Sequence, residues 1–303
     1  MHLKLPLRRR NNGLPALRMV TKVARPLIPQ PVLQKMRLIQ ARVRLARAEH
    51  AVAGFTRQTG RPHGLGGELV VSLTSYPARF GVLSKTIKSL LSQSIRPDRT
   101  VLWIAHNDFV EIPTAVRDLE HHGLEIRVCE DIRSYKKIVP SLRQWPHAYI
   151  VTADDDFYYE PKWLEKIVGG VVPGQKIIVC RRAHRPILTG LSFAPYANWD
   201  WDVVTDEDVR GDLFPTGGAG ALYPPGSLAP EVLDQELFTR ICPTADDVWL
   251  YFMGRRAGSR YRQVGGGFAQ VSWPGAEAAS LLQTNLTGAN DVQIKSVKEY
   301  FGA

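Results

Sequence analysis

The feature that most constrains the fold is an alternation, between residues 69 and 180, of short apolar runs with segments of helical spacing. Strand-like runs of this kind cover residues 69–73, 101–105, 126–129, 149–153 and 177–180. Apolar side chains at helical spacing separate them, at Leu83, Ile87, Leu90 and Leu91, then at Val116 and Leu119, and then over residues 138–142. A strand, helix, strand order repeated at this spacing predicts an α/β fold with a doubly wound, mainly parallel sheet.

The fourth apolar run leads directly into three carboxylates, Asp154, Asp155 and Asp156. Like charges this close repel one another unless a cation offsets them. Carboxylate oxygens suit Mg²⁺ or Mn²⁺, which also bridge the phosphates of a bound nucleotide. The triplet therefore indicates a metal-assisted nucleotide site, and an acidic, solvated loop is the alternative.

Three further stretches place polar or flexible residues where a parallel sheet binds its ligands. The first strand ends in the small polar segment Thr74 to Arg79, a suitable place for a base and ribose. Residues 216–227 form a glycine-rich stretch that would allow close backbone approach to a ligand, although an ordinary turn-rich connection is the alternative. Asp246 and Asp247 open an apolar helical run, where they could act on a substrate or only cap the helix.

Together these stretches resemble the family 2 type of bacterial glycosyltransferases with the GT-A fold, which build surface polysaccharides. The resemblance covers about residues 68 to 300. It implies a divalent metal held by Asp154 and Asp156, with Asp155 beside the donor and Asp156 the most direct ligand. It also implies a nucleotide-sugar donor, commonly a UDP-sugar, a glycan or lipid-linked acceptor, and inversion at the anomeric carbon. The donor contacts that it implies are Thr74, Ser75, Tyr76, Arg79, Lys137, Gly217 and Gly218.

In that family an acidic pair supplies the base that deprotonates the acceptor hydroxyl. The resemblance gives this role to Asp247, with Asp246 orienting it or holding the acceptor. Lys137 could instead be a surface residue at the start of a helix. Many such enzymes also use a late histidine as a metal ligand, but the last histidine here is His184, so the third protein ligand is either absent or supplied by another residue, with Asp291 a weak candidate. Arg181, Arg182 and His184 follow the fifth strand and could meet phosphate or acceptor, or simply lie at the surface.

The basic residues are concentrated at the N-terminus. The net charge is +10, yet residues 1–60 carry 13 of the 39 Lys and Arg and a single acid, Glu49. We predict a basic, partly helical extension over residues 1–66 and a catalytic domain over residues 67–303. Apolar residues recur within the extension at Leu33, Met36, Ile39 and Val43, so it could bind an anionic membrane surface.

The remaining composition bears on location and on alternative functions. Three widely spaced cysteines show no metal-ligand spacing, and no apolar window is long enough to span a membrane, so we expect a cytoplasmic protein, peripheral at the inner face of the membrane. A nucleotidyltransferase would share the α/β layout and the metal. A basic-tailed nucleic-acid-binding protein is the other alternative, but no nucleic-acid module is recognisable and we expect no nucleic acid as partner.

Overall fold

The computed structural model describes residues 29–56, 60–190, 192–275 and 288–302. The chain separates into two compact units, Met1–Arg47 and Ala48–Ala303. Residues 1–28 of the predicted basic extension lie outside the described residues, and the predicted boundary near residue 66 stays a prediction. Within the ranges given above, no helix has both the length and the hydropathy that a membrane span requires.

Eight α-helices are present in the described ranges, and several shorter 3₁₀ helices connect the elements. In chain order the α-helices are α1 Gln30–Ala53, α2 Phe80–Leu91, α3 Thr114–Arg117, α4 Val139–Gln144, α5 Trp163–Val168, α6 Gln235–Ile241, α7 Asp246–Arg256 and α8 Asn290–Phe301.

The strands follow the same chain order. They are β1 Arg61–Pro62, β2 Leu69–Thr74, β3 Ile95–Arg96, β4 Arg99–Ala105, β5 Leu124–Cys129, β6 Tyr149–Ala153, β7 Ile177–Cys180, β8 Ala183–His184, β9 Leu188–Thr189, β10 Ser192–Phe193, β11 Val209–Arg210, β12 Phe214–Pro215, β13 Ala221–Tyr223 and β14 Arg260–Gln263.

Eight of these strands form the central sheet, in the order β11-β14-β7-β13-β6-β2-β4-β5. The pairs β6 with β2, β2 with β4, β4 with β5 and β7 with β14 are parallel. The short strand β13 is antiparallel to both of its neighbours, β6 and β7, and β11 is antiparallel to β14. The predicted α/β class with a mainly parallel sheet and a helical N-terminal extension is therefore confirmed.

The sheet is covered on both faces, because side chains along each strand alternate between two apolar clusters. On β2, Val70 belongs to one cluster, and Leu69, Val71 and Leu73 belong to the other. The first cluster includes much of α7, and the second includes the apolar side of α2 and α5. Burial on both faces explains why these strands are continuous apolar runs in the sequence.

The strand order reverses direction at β2. From β2 the chain adds β4 and then β5 on one side, and it returns to place β6 on the other side. In open α/β sheets a crevice forms outside the carboxyl ends of the strands at such a reversal, and ligands bind there. The topology therefore marks the ends of β2 and β6 as the place to look for a site.

Candidate active site

The acidic triplet and the polar end of the first strand lie side by side. Leu73 of β2 pairs with Ala153 of β6, so both parallel strands end at the same edge of the sheet. Ser75 comes two residues after Leu73, just past the end of β2, and Asp154 directly follows the end of β6. The strand register thus places the two predicted donor segments at the topological reversal.

Each carboxylate of the triplet has a different partner. Asp155 accepts a hydrogen bond from the Ser75 hydroxyl, with 2.5 Å between Oγ and Oδ2. Asp156 accepts a short hydrogen bond from the Arg79 guanidinium. Asp154 accepts from the Lys137 ammonium, with 3.0 Å between Nζ and Oδ1. The sequence-predicted residues Ser75, Arg79 and Lys137 are therefore joined to the triplet itself.

Burial opposes ionisation in this cluster. It raises the pKa of Asp155 to about 7, although the Ser75 hydroxyl acts in the opposite direction. The pKa of Asp156 is also raised, by burial and then by the charge of Asp154, while Arg79 works against the increase. The triplet is therefore an electrostatically costly arrangement that a positive ligand would stabilise.

The glycine-rich segment passes directly over these carboxylates. Strand β13 pairs Ala221 with Thr152 of β6, which brings the 3₁₀ helix Gly217–Ala219 to the same edge of the sheet. A methyl group added at Gly218 would lie 2.2 Å from Oδ2 of Asp154, well inside van der Waals contact. Glycine therefore lets the backbone approach the carboxylate closely, and a larger residue here would displace the Asp154 side chain.

The second acidic pair begins α7, as predicted. Asp247 accepts a hydrogen bond from the backbone N–H of Gly217, with 2.9 Å between N and Oδ1. Its place in the first helical turn is electrostatically favourable, because the helix dipole stabilises negative charge there. Burial nevertheless raises the pKa of Asp247, and the neighbouring charge of Asp246 adds to the increase. A carboxylate with a raised pKa, fixed at one oxygen, is suited to accept a proton near neutral pH.

Lys137 links the two acidic groups. Its ammonium lies 2.9 Å from Oδ2 of Asp246 as well as 3.0 Å from Oδ1 of Asp154. Burial alone would lower the pKa of Lys137, but the carboxylates of Asp154, Asp246 and Asp247 hold it well above its usual value. The lysine is a buried residue of the 3₁₀ helix Arg133–Lys137, so the alternative of a surface lysine is wrong.

Two of the predicted donor contacts are placed differently from the others. The Thr74 hydroxyl donates to the backbone carbonyl of Trp103 at 2.8 Å, and this hydrogen bond fixes the end of β2 against β4. Tyr76 is 40% exposed. The remaining predicted site residues form one cluster at the sheet edge: Ser75, Arg79, Lys137, Asp154, Asp155, Asp156, Gly217, Gly218, Asp246 and Asp247.

Two aromatic residues that the sequence analysis did not single out hold the glycine segment in place. The Tyr159 hydroxyl accepts from the backbone N–H of Asp154 at 2.8 Å and donates to the carbonyl of Gly218 at 2.7 Å. The indole N–H of Trp163 donates to the carbonyl of Ala219 at 2.8 Å. Both side chains are fully buried. The aromatic run that follows the triplet was the available signal, since buried Tyr and Trp need a partner for their polar atom.

Other residues considered in the sequence have structural contacts. Arg181 is buried and donates to Glu160 and to the carbonyl of Val264. His184 packs against Trp201 with 4.3 Å between ring centroids, and burial lowers its pKa to about 4. Asp291 accepts from the backbone N–H of Tyr196 at 2.6 Å. The nearby aromatic residues Tyr196 and Trp199, and Trp249 of α7, are buried among other side chains.

Comparison with known proteins yields only distant similarities. No protein-family model and no curated protein sequence matches the chain. Glucosyl-3-phosphoglycerate synthase from Mycobacterium tuberculosis, solved with Mn²⁺, UDP and glucosyl-3-phosphoglycerate, is 16% identical, with a TM-score of 0.40 over 76% of this chain and 81% of that one. A Pyrobaculum calidifontis mannosyltransferase, solved with GDP-mannose and Mn²⁺, is 12% identical, with a TM-score of 0.39 over 90% and 86%.

A synthase gives a match of the same kind. The 4-diphosphocytidyl-2C-methyl-D-erythritol synthase of Anaerococcus prevotii is 14% identical, with a TM-score of 0.43 over 75% of this chain and 98% of that one. These scores are too low to assign a function to the chain.

Proposed function

We propose that the chain is a metal-dependent glycosyltransferase that moves a sugar from a nucleotide donor, a UDP-sugar by preference, to an acceptor hydroxyl. The observation that carries the proposal is the arrangement of two acidic groups joined by Lys137. The triplet at the ends of β2 and β6 lies where an α/β sheet binds its ligand. The second pair lies beside it, close enough for one ammonium to contact both.

The triplet fits a divalent metal. Five carboxylates in the cluster face two cations, Arg79 and Lys137, so the cluster retains negative charge. Arg79 contacts Oδ2 of Asp156 and Lys137 contacts Oδ1 of Asp154, and both aspartate side chains are partly exposed. In the described ranges no group of three or more His, Cys, Asp and Glu side chains forms a complete metal site, so the site proposed here needs substrate phosphates as further ligands. Mg²⁺ is commonly bound by one or two carboxylates together with substrate phosphates.

In this proposal Asp154 and Asp156 would hold Mg²⁺ or Mn²⁺, and the metal would offset the charge of the departing nucleotide diphosphate. Asp155 is more deeply buried, and its carboxylate accepts a hydrogen bond from Ser75, which supports the segment that follows β2. Tyr76 and Thr74 would lie nearest to the base and ribose, at the end of β2. Gly217 and Gly218 would let the sugar approach the backbone closely.

Asp247 would act as the general base. The acceptor hydroxyl oxygen attacks the anomeric carbon while the bond from that carbon to the diphosphate oxygen breaks. The electron pair leaves with the nucleotide diphosphate, and the hydroxyl proton passes to Asp247. The Gly217 N–H fixes one oxygen of Asp247, so that the other is oriented to take the proton. Attack opposite to the leaving group inverts the anomeric carbon. Asp246 would position Asp247 and pair with Lys137.

A family 2 type enzyme of surface polysaccharide synthesis would use a glycan or lipid-linked acceptor, which suits a location at the inner face of the membrane. We propose that the basic extension supports that location, with residues 67–303 forming the catalytic domain. Val32, Met36, Ile39 and Val43 of α1 are exposed apolar residues at roughly helical spacing. Each basic residue near an anionic surface contributes on the order of 1 kcal/mol, screened by salt.

Vesicle sedimentation tests the membrane proposal on the full chain. Lys35, Arg37, Arg42 and Arg44 are changed together to Gln, and the control changes an equal number of basic residues of the second unit, namely Arg117, Arg143, Arg240 and Arg255. We expect salt-sensitive binding to anionic vesicles that only the first variant loses. Equal sedimentation of both variants and wild type would end this proposal without affecting the transferase assignment.

The transferase assignment is tested by incubating purified protein with a panel of UDP- and GDP-sugars and Mg²⁺ or Mn²⁺, and measuring release of the free nucleotide diphosphate. We expect metal-dependent release for at least one UDP-sugar and none in Asp156→Asn. Release of pyrophosphate from a nucleoside triphosphate and a sugar phosphate, with no reaction of any nucleotide sugar, would identify a nucleotidyltransferase instead. The segment after β2, the 3₁₀ helix Pro77–Arg79, is not the glycine-rich activating loop expected of such enzymes.

A further inference from the structure

Arg182 contacts the residue that precedes the Gly217 support of the proposed base, and it has no role in the proposed reaction. Its Nε donates to the Thr216 hydroxyl at 2.7 Å, and its Nη1 donates to the Gln270 side-chain oxygen at 2.6 Å. Thr216 directly precedes Gly217, whose N–H holds Asp247. The guanidinium is therefore fixed in position one residue away from the segment that orients the base.

The charge of Arg182 is only weakly compensated. Both hydrogen-bond partners are neutral, and the carboxylate within 4 Å in the described part of the chain is Asp202, 3.8 Å from Nε and itself 65% exposed. The preceding Arg181 differs, because its guanidinium lies 3.0 Å from Glu160. The Arg182 side chain is 22% exposed, so it is mostly covered but still reaches solvent. The guanidinium is held at Nε and Nη1, and its Nη2 donates to no group in the described part of the chain. Such a guanidinium matches the geometry of a phosphate or carboxylate.

We propose that Arg182 binds an anionic group, a phosphate or a carboxylate, on the acceptor. The proposal rests on the proposed transferase function, and it names the class of acceptor. The donor side already has two cations, Arg79 and Lys137, bound to the acidic triplet. Arg182 instead contacts the opposite end of the glycine segment, next to the residue that holds the base. An acceptor held there would be selected by its negative charge.

The donor diphosphate could supply the same chemistry. Gln270 belongs to a segment that runs beside the triplet, since Phe157 forms a β-bridge with Ser272. The experiment therefore needs one measurement for the donor and one for a second anion. Inorganic phosphate, tested on protein saturated with UDP and Mg²⁺, serves as the second probe.

The variants are Arg182→Gln, Arg182→Lys and the control Arg185→Gln. Arg185 lies nearby, but it pairs with Asp212 at 3.2 Å, so its charge is compensated. Calorimetry gives the affinity for UDP with Mg²⁺, and the shift in melting temperature with rising phosphate gives the affinity of the UDP-loaded protein for phosphate. Arg182→Lys keeps the positive charge but cannot contact Thr216 and Gln270 through two separate guanidinium nitrogens. This variant therefore separates recognition of charge from support of the segment that contains Thr216.

We expect phosphate to stabilise the UDP-loaded wild type and Arg185→Gln to the same extent. The phosphate affinity of Arg182→Gln should be at least tenfold weaker, and that of Arg182→Lys should lie between the two. UDP affinity should stay within about twofold in every variant. Loss of UDP affinity in Arg182→Gln with an unchanged phosphate response would assign Arg182 to the donor and overturn the proposal. No phosphate response in the wild type, or an equal response in all variants, would overturn it as well. Failure of wild type to bind UDP would instead refute the proposed function.

Discussion

Lys137 donates a hydrogen bond to Asp154 across 3.0 Å, and the same ammonium lies 2.9 Å from Oδ2 of Asp246. The donor-side triplet and the proposed base pair are therefore one electrostatic unit. The linking cation is buried and poorly screened, so it stabilises negative charge on both Asp154 and Asp246.

Lys137→Met should destabilise the fold. It leaves Asp154 and Asp246 without their shared cation, and removing one partner of a buried ion pair costs about 3–5 kcal/mol. Lys136→Met is the matched control, because Lys136 is also buried but its partner Asp131 is 64% exposed and stays hydrated when the lysine charge is removed. Its loss should therefore be clearly smaller than that of Lys137→Met. Urea unfolding measures both values, and equal losses would show that Lys137 is not the central link.

Asp247→Asn should reduce turnover by about 10²–10⁴-fold, as expected when a general base is lost. The amide oxygen can still accept from the Gly217 N–H, so the local shape is kept. UDP affinity should not change, because the substitution is on the acceptor side. Steady-state kinetics and calorimetry test the two parts, with Asp212→Asn as an isosteric control outside the site. Near-normal turnover in Asp247→Asn would move the base to another residue, with Asp246 the next candidate.

The pH dependence of kcat/KM should have an acidic limb near neutrality. Burial raises the pKa of Asp247, and the charge of Asp246 raises it further, so the base is protonated and inactive at lower pH. Activity should therefore rise as pH increases through this range. Asp246→Asn removes the neighbouring negative charge and should move the limb to lower pH. A limb that stays in place, or moves to higher pH, would contradict the assignment of that limb to Asp247.

Gly218→Ala should weaken metal-dependent UDP binding by about 10–100-fold, the usual effect of disturbing the support of a metal ligand. The added methyl group would lie 2.2 Å from Oδ2 of Asp154, so the carboxylate must turn away. Gly211→Ala is the control, since a methyl group there meets only open space among the described residues. UDP titrations in Mg²⁺ compare the two variants. Equal affinities would mean that the position of Asp154 does not matter for the donor.

The sequence predicted five strands of the central sheet well, namely β2, β4, β5, β6 and β7. A strand that is buried on both faces is a continuous apolar run, and such a run is visible in the sequence. Residues 149–153 and 177–180 match β6 and β7 in full, and the first three runs are only shorter than β2, β4 and β5. Strand β13 was not predicted. It has three residues within a glycine- and proline-rich stretch, and it is a strand only because β6 and β7 pair with it on both sides.

The candidate site was predicted as a set of residues but not as a set of contacts. Arg79 was expected to meet the nucleotide, and it pairs with Asp156 across 77 positions of the sequence. Lys137 was given a donor role or a surface position, and it joins two acidic groups instead. Local patterns identify which residues end a strand or begin a helix. The pairing of charged side chains depends on packing between segments that are distant in the sequence, so local sequence patterns do not reveal it.

Calorimetric titration of UDP into the full chain, with Mn²⁺ and then with chelator, shows whether the acidic triplet is a metal-dependent donor site. We expect binding by wild type with the metal, little or none with chelator, and loss of the metal-dependent part in Asp156→Asn. Asp131→Asn, an exposed aspartate outside the cluster, should behave as wild type, and melting temperatures should confirm that both variants are folded. Equal UDP affinity in wild type and Asp156→Asn, unaffected by chelator, would contradict the assignment of the triplet as a metal-dependent donor site.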